Sequence, residues 1–226
     1  MRIAVLGTGS AGRILAGRFA ELGHEVTIGI RDAAATSART EPDRMGNPAF
    51  PQWQAAHPQV GLADFAVAGA WAELVVNATG GAESISALTL AGADNLAGKV
   101  LMDIANPLDH SLGFPPSLLV KDTDSLGEQI QRAFPGVRVV KTLNTMNASL
   151  MADPGQLAGG DHTTFVAGND GAAKQTVTAL LESLGHRDVI DLGDITAARG
   201  TEMILPLWLR LMGTLGTPVF NIKVVR

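Results

Sequence analysis

The sequence predicts an α/β fold in which a doubly wound parallel sheet carries helices on both faces. Short apolar runs alternate with stretches of helical spacing, a glycine-rich loop follows the first run, and 46% of the residues are hydrophobic while 17% are charged. Strands that alternate with helices pair in parallel, because each helix crosses over the sheet and returns the chain to the same edge. The 226 residues suffice for one large domain with a small appendage.

The alternation is clearest in the first part of the chain. The predicted strands are residues 3–6, 26–28, 74–76, 100–102 and 137–140, and the predicted helices are residues 13–22, 33–39, 83–91 and 125–134. Asp32 and Ser125 stand where helix N-caps are expected, and Glu128 completes a capping box with Ser125. Residues 41–58 contain four prolines and predict a long surface excursion with one turn of helix around Trp53.

The alternation loosens after Asn144. We therefore expect a dinucleotide-binding domain over residues 1–143 and a small C-terminal α/β subdomain for substrate and dimer contacts over residues 144–226. This subdomain ends in a long apolar helix over residues 195–215, bent or broken near Pro206. Since residues 203–209 are apolar nearly all round, they must be buried on most faces, either along a pocket for a flat aromatic acceptor or in a homodimer interface.

Composition excludes several classes of function. A net charge of -5 without a basic run argues against nucleic acid as a partner. The absence of cysteine excludes disulfides and thiolate chemistry, and the absence of tyrosine excludes a phenol as proton donor. The five histidines show no metal-ligand spacing, so no metal is expected. We find no signal peptide and no stretch long enough to span a bilayer, which predicts a cytoplasmic protein without membrane partners.

The loop Gly7-Thr8-Gly9-Ser10-Ala11-Gly12 matches the G-x-G-x-x-G pattern of dinucleotide-binding folds. It follows a predicted strand and opens a predicted helix, which is the context that the Rossmann-type fold requires. Gly7 permits the tight turn, Gly9 lets the pyrophosphate approach the backbone, and Gly12 lets the helix pack against the strand. The free N–H groups at the start of the helix then bind the phosphates.

The end of the second strand indicates which dinucleotide binds. NAD sites place a carboxylate there for the ribose 2′-hydroxyl, whereas Ile30 takes this position here and Arg31 follows it. A guanidinium can bind the 2′-phosphate of NADP, and Arg39 could assist or could be merely solvated. Asp32 would favour NAD if it bonded the ribose, but the three alanines after it favour a helix cap.

Small and amide side chains follow the later strands, where ligands of open parallel sheets bind. They are Asn77, Ala78 and Thr79 after the third predicted strand, Asn106 and Pro107 after the fourth, and Asn144 after the fifth. We expect them to contact the ribose and the nicotinamide. No acid–base pair stands out, and Asp103 is expected to make a structural hydrogen bond. The catalytic residues therefore stay unassigned, which fits a reaction that is mainly hydride transfer.

Taken together, these motifs resemble the coenzyme F420-dependent NADP oxidoreductase family over most of the chain. The resemblance rests on residues 1–9, 29–31, 74–79, 103–107, 141–145 and 220–223. It implies hydride transfer between NADP and the deazaflavin F420, which lies in a cleft between a Rossmann domain and a small C-terminal domain. It also implies that Thr8 and Gly9 contact phosphate, that Arg31 binds the 2′-phosphate, and that Thr79, Asn106 and Asn144 face the ribose and nicotinamide.

Two departures from the family pattern affect these expectations. Ile30 replaces a serine that often precedes the arginine, which softens the preference for NADP, and the excursion over residues 41–58 is longer than expected. The cytosolic domain of membrane ferric reductases is similar as well. The alternatives are therefore an NADPH-dependent reductase of a flavin or of a small carbonyl or imine, and a non-catalytic NADP-sensing module.

Overall fold

The computed structural model describes residues 1–42 and 46–226. Within these residues one eight-stranded sheet has the order β10-β9-β8-β5-β4-β1-β2-β3, and a small ribbon pairs β6 with β7. The strands are β1 Arg2–Leu6, β2 Glu25–Ile30, β3 Val60–Asp64, β4 Leu74–Asn77, β5 Val100–Asp103, β6 Leu108–Asp109, β7 Ser117–Leu118, β8 Arg138–Thr142, β9 Thr163–Ala167 and β10 Asp188–Asp191. Neighbours in the large sheet run parallel, except that β9 is antiparallel to β8.

Helices cover the sheet between the strands. They are α1 Ser10–Glu21, α2 Ala33–Ser37, α3 Phe50–Ala56, α4 Phe65–Trp71, α5 Ser84–Ala91, α6 Ala93–Leu96, α7 Leu126–Ala133, α8 Ala148–Ala152, α9 Gly171–Leu184, α10 Ala198–Met203 and α11 Leu205–Leu215. In the described part of the chain, no helix has the length and apolar character needed to cross a bilayer.

A hydrophobic core lies on each face of the sheet. Along β1, Ile3 and Val5 belong to one core together with Phe19 of α1, whereas Ala4 and Leu6 belong to the other. Successive side chains of a strand point to opposite faces, so an uninterrupted apolar run is what a strand buried on both faces requires. The prediction of a doubly wound α/β fold is confirmed.

The local predictions hold best where capping residues are clear. Asp32 accepts a hydrogen bond from the Ala35 N–H at 2.8 Å and begins α2, and Ser125 accepts one from the Glu128 N–H at 3.1 Å and begins α7. The helix around Trp53 is present as α3. Residues 43–45 of the predicted excursion lie outside the described residues.

The sequence prediction missed several elements, and two of them adjoin each other. The edge strand β3 and the helix α4 directly follow the proline-rich stretch. Residues 60–64 read Val-Gly-Leu-Ala-Asp, and all but Val60 keep part of their surface accessible. Without a strong apolar run or a β-branched cluster, nothing local distinguishes this strand from the preceding loop.

The C-terminal part continues the large sheet, because β9 pairs with β8 through Lys141 and Thr142. The predicted helix over residues 195–215 is divided into a 3₁₀ turn, α10 and α11, and the break at Ile204 lies beside Pro206, as expected. Within the single chain residues 203–209 are not buried on most faces, since Met203 is 37% and Leu207 54% exposed, and the subunit interface expected as one alternative stays a prediction. The helix faces outward there because no element of the described chain packs over it.

Candidate functional site

The glycine loop connects β1 to α1 at the carboxyl edge of the sheet. Gly7 has φ +115°, and its N–H donates to the Gly29 carbonyl at 2.9 Å. A Cβ at Gly7 would lie 2.6 Å from the carbonyl oxygen of Ala78, and a Cβ at Gly12 would collide with the carbonyl oxygen of Gly7. Both glycines are therefore required by close backbone packing and not only by a flexible turn.

The amino end of α1 is open. Gly9 is the N-cap residue and supplies no side-chain hydrogen bond, and a Cβ built there meets no atom within 4 Å. The N–H groups of the first turn have no acceptor inside the helix, and the helix dipole makes this end positive. Backbone N–H donors therefore border the space in front of Gly9, and this arrangement binds a pyrophosphate.

Two cavities lie along this edge of the sheet and share Gly9, Ala78, Thr79 and Gly80 in their walls. We call them the cofactor cavity and the acceptor cavity. The cofactor cavity, about 440 Å³, is lined by the glycine loop, the end of β2 and α2. The acceptor cavity, about 490 Å³, is lined by the start of α1, the ends of β5 and β8, α8 and α11. The shared wall makes them one continuous cleft.

Positive charge is concentrated at the far end of the cofactor cavity. Arg31 and Arg39 both line it, together with Ile30 and Thr36. Neither guanidinium forms an ion pair within residues 1–42 and 46–226. Asp32 also borders the cavity, but its carboxylate is engaged as the cap of α2. The interpretation of Asp32 as a cap is confirmed.

The ends of β5 and β8 meet in the acceptor cavity. The side-chain amide of Asn106 donates to the Asn144 carbonyl at 2.8 Å, and the Asn144 amide donates to Asn106 Oδ1 at 3.0 Å and to the Thr201 carbonyl at 2.9 Å. These bonds connect two strand ends to α10. Their orientation is therefore set before any ligand arrives.

Apolar side chains form the opposite wall of the acceptor cavity. Leu205, Trp208 and Leu209 of α11 face Met146 and Met151 across it. Trp208 stacks on Phe220, with ring centroids 5.1 Å apart, so the indole is held by a second aromatic ring. The apolar stretch over residues 203–209 was expected either along a pocket or in a homodimer interface. The structure shows that part of it, Leu205, Trp208 and Leu209, lines a pocket.

A buried ionic network lies beneath the cleft. Lys141 Nζ lies 2.9 Å from Asp103 Oδ2 and 2.8 Å from Glu202 Oε1, and all three side chains are at most 1% exposed. Glu202 also accepts from the N–H groups of Leu126 and Gly127, at the positive end of α7. Burial lowers the pKa of Lys141, but the two carboxylates outweigh it and hold the pKa above its ordinary value. The lysine therefore stays charged.

Asp103 and Asn77 belong to this support and do not line either cavity. The Asn77 amide donates to Asp103 Oδ1 at 2.8 Å and to Ser84 Oγ at 3.0 Å, while its oxygen accepts from the Thr79 hydroxyl at 2.6 Å. The expected structural role of Asp103 is confirmed. Asn77 orients Thr79, which does line the cleft.

The predicted site residues are largely brought together. Those in the cavity walls are Gly7, Thr8, Gly9, Ser10, Ala11, Ile30, Arg31, Ala78, Thr79, Asn106 and Asn144. Gly12, Asn77 and Pro107 lie behind these walls. Sequence reasoning missed Arg13, which donates to the Thr8 carbonyl at 2.6 Å and to the Pro48 carbonyl, and so ties the glycine loop to the segment before α3. The available signal was the position of this arginine directly after Gly12, at the start of the predicted helix.

Fold and site together define a dinucleotide-binding oxidoreductase of the Rossmann type. The family model for NADP oxidoreductase, coenzyme F420-dependent, matches residues 2–107. The F420-dependent NADP reductase of Methanothermobacter thermautotrophicus is 30% identical over 218 residues, which are 93% of this chain and 89% of that protein. The chain belongs to the F420-dependent NADP reductase family, a family of NADP-dependent oxidoreductases.

Two further relatives show the breadth of the resemblance. A crystal structure from Arthrobacter sp. FB24, provisionally assigned as an F420-dependent NADP reductase, is 67% identical, with a TM-score of 0.95 over 99% of both chains. Metalloreductase STEAP3 of Rattus norvegicus is 28% identical over 212 residues, which are 92% of this chain. The aligned region spans only 38% of STEAP3.

Proposed function

We propose that the protein transfers hydride between NADPH, bound along the cofactor cavity, and the deazaflavin coenzyme F420, whose ring lies in the acceptor cavity. The open first turn of α1 binds the pyrophosphate, and Thr8 and Ser10 add hydroxyls beside it. Asn106 and Asn144, which line the acceptor cavity, hold the ribose and carboxamide where the dinucleotide enters that cavity. When bound, the nicotinamide supplies the hydride, and the protein supplies position and a dry surface.

The observation that carries the acceptor assignment is the wall of the acceptor cavity. In the part of the chain that the structure describes, no ionisable side chain lines it. A carbonyl or imine needs a proton donor beside the reacting carbon, whereas a fused heterocycle spreads the charge of an added hydride over its ring. Asp103 is buried in the ionic network. His110 lines a neighbouring cavity that shares Gly80, Gly81, Asn106 and Leu108 with the acceptor cavity, but His110 is not part of the acceptor cavity's own wall. A flat ring acceptor therefore fits better than a carbonyl.

The preference for NADP is proposed to rest on two arginines. Arg31 and Arg39 face one cavity without carboxylate partners in the described chain, so both guanidiniums can bind a 2′-phosphate. Ile30 contributes only apolar contact at the position where NAD sites carry a carboxylate. Arg31 lies nearer the strand end and is assigned the larger share.

The test mixes purified protein with NADPH and F420 and follows the visible absorbance of the deazaflavin, with NADH and FMN in parallel. We expect bleaching with NADPH and F420. Arg31→Ala should weaken NADPH binding about 10- to 100-fold, since a charged hydrogen bond is worth about 1.5 to 3 kcal/mol, and should leave NADH unchanged. Arg39→Ala should act in the same direction by less. Arg2→Ala, an exposed arginine at the amino end of β1, is the matched control.

Two outcomes would overturn parts of this proposal. If NADPH binds while F420 stays oxidised and FMN is reduced, the acceptor assignment is wrong and the cofactor assignment stands. If Arg31→Ala weakens the binding of NADH as much as the binding of NADPH, the arginine does not bind the 2′-phosphate.

We further propose which part of the chain binds each ligand and that the protein is a dimer. Residues 1–143 hold NADP, and residues 144–226 supply α8 and α11 of the acceptor cavity together with the contacts of a cytoplasmic homodimer. Leu207 and Leu215 of α11 are exposed in the single chain, where a second copy would cover them. Light scattering at micromolar concentration should give twice the monomer mass, and Leu207→Glu should reduce it. A monomer at all concentrations would remove this proposal.

A further inference from the structure

A cationic cleft lies on the face of α11 next to the one that lines the acceptor cavity. It has a volume of about 310 Å³, and its walls come from residues 115–118, Lys121 and α11. Lys121 and Arg210 are its charged residues, and no carboxylate is among its wall residues within the described chain. We call it the tail cleft.

The tail cleft adjoins the acceptor cavity through one residue. Leu209 lines both spaces. Pro206 and Arg210 are four positions apart and therefore share one face of α11, whereas Leu205 and Trp208 turn to the acceptor cavity. A molecule whose ring lies in the acceptor cavity can thus extend a flexible chain past Leu209 into the tail cleft.

The electrostatics of the tail cleft differ from those of the whole chain. The net charge is -5, yet neither Lys121 nor Arg210 forms an ion pair within residues 1–42 and 46–226. Asp122 follows Lys121 in the chain but is not part of the wall. A guanidinium, an ammonium and the hydroxyl of Ser117 make a donor set that matches a phosphate ester.

We propose that the tail cleft binds the phosphate ester on the side chain of the acceptor, and so selects acceptors with an anionic tail over neutral ones. This inference deepens the proposed function and rests on it for the placement of the ring. Two parts of the acceptor would then be bound at different places. The uncharged acceptor cavity binds the ring, and Lys121 and Arg210 bind the phosphate ester of the side chain.

The test measures dissociation constants by fluorescence with the NADP-saturated protein at low ionic strength. The probes form two pairs: F420 against the ribityl deazaflavin that lacks the phosphate, and FMN against riboflavin. We expect the phosphorylated member to bind more tightly, and Lys121→Gln and Arg210→Gln each to weaken only that member, by up to about fivefold as for an exposed ion pair. The double variant should remove the difference, and added salt should reduce it. Arg2→Gln is the control for net charge.

The outcomes distinguish this inference from the proposed function. If F420 and its phosphate-free form bind equally in the wild type and F420 is still reduced, the tail cleft is not a phosphate site although the function stands. If F420 is not a substrate but FMN binds more tightly than riboflavin and loses this advantage in the double variant, the tail cleft stands and the deazaflavin assignment falls. Failure of every probe to bind would overturn both.

Discussion

The two halves of the cleft are built in opposite ways. The cofactor half is lined chiefly by two short segments, Gly7 to Gly9 and residues 30–39, and presents backbone donors and positive charge. The acceptor half uses Ile104 to Leu108, Asn144 to Met151 and Leu205 to Leu209, and presents apolar and amide surface. Under the proposed function, the dinucleotide would be recognised mainly by local backbone geometry, and the acceptor by a surface that exists only after the chain has folded.

The acceptor half also depends on buried polar groups behind it. Lys141 joins β5 and β8 to α10, and His186 holds the carbonyl of Met151 in α8. Behind the cofactor half the buried polar group is Arg13, which donates to the carbonyls of Thr8 and Pro48 and does not contact the Lys141 network. We therefore expect disruption of the buried groups to act on stability first and on the acceptor half before the cofactor half.

The largest expected effect is that of Lys141→Met. The substitution leaves Asp103 and Glu202 buried with no cation between them, which should destabilise the fold by about 3 to 5 kcal/mol in urea unfolding. Lys174→Met is the matched control, because its partner Asp191 is 53% exposed and its loss should cost about 1 kcal/mol or less. Equal effects of the two substitutions would show that the buried network stabilises the fold no more than an exposed ion pair does.

The second effect is a loss of stability in acid. Burial lowers the pKa of His186 to about 4. The neutral ring accepts from Thr164 at 2.8 Å and donates to the Met151 carbonyl at 3.0 Å. A folded-state pKa below the unfolded value means that the contribution is present above about pH 6.5 and is lost as the pH falls toward 4, up to about 3 kcal/mol.

Unfolding free energies between pH 7.5 and 4.5 test this expectation. His186→Leu should flatten the pH dependence whatever its stability at pH 7.5, and His110→Gln, at an exposed histidine, should leave it unchanged. An unchanged slope in His186→Leu would place the acid sensitivity elsewhere.

The smallest effect is that of Trp208→Leu. Loss of the indole removes part of the acceptor wall and its stack on Phe220, so the KM for F420 should rise about tenfold, as expected for about 1.4 kcal/mol of lost contact. The dissociation constant of NADPH should not change, which is the reverse of the pattern expected for Arg31→Ala. If Trp208→Leu weakened the binding of NADPH as well, the two halves of the cleft would not bind their ligands independently.

The sequence predicted the parts of the site that depend on near neighbours. The glycine loop, the cap at Asp32 and the amide side chains at Asn106 and Asn144 all follow from short patterns with a direct backbone consequence. The strand β3 was missed because its residues carry weak local preferences and it pairs with β2, a contact that no short window contains.

The sequence by itself determined the doubly wound sheet and the edge of the sheet at which ligands are expected to bind. Both follow from the periodicity of apolar residues and the spacing of glycines, which are patterns of only a few residues. The tertiary structure alone decided which distant side chains meet. Lys141, Asp103 and Glu202 are separated by up to 99 positions. The pairing of β5 with β8 places Asp103 opposite Lys141, and the packing of α10 against α7 brings Glu202 to the same lysine. The position of Leu209 between the acceptor cavity and the tail cleft is of the same kind, because the direction of a helix face is set by what the folded chain leaves uncovered.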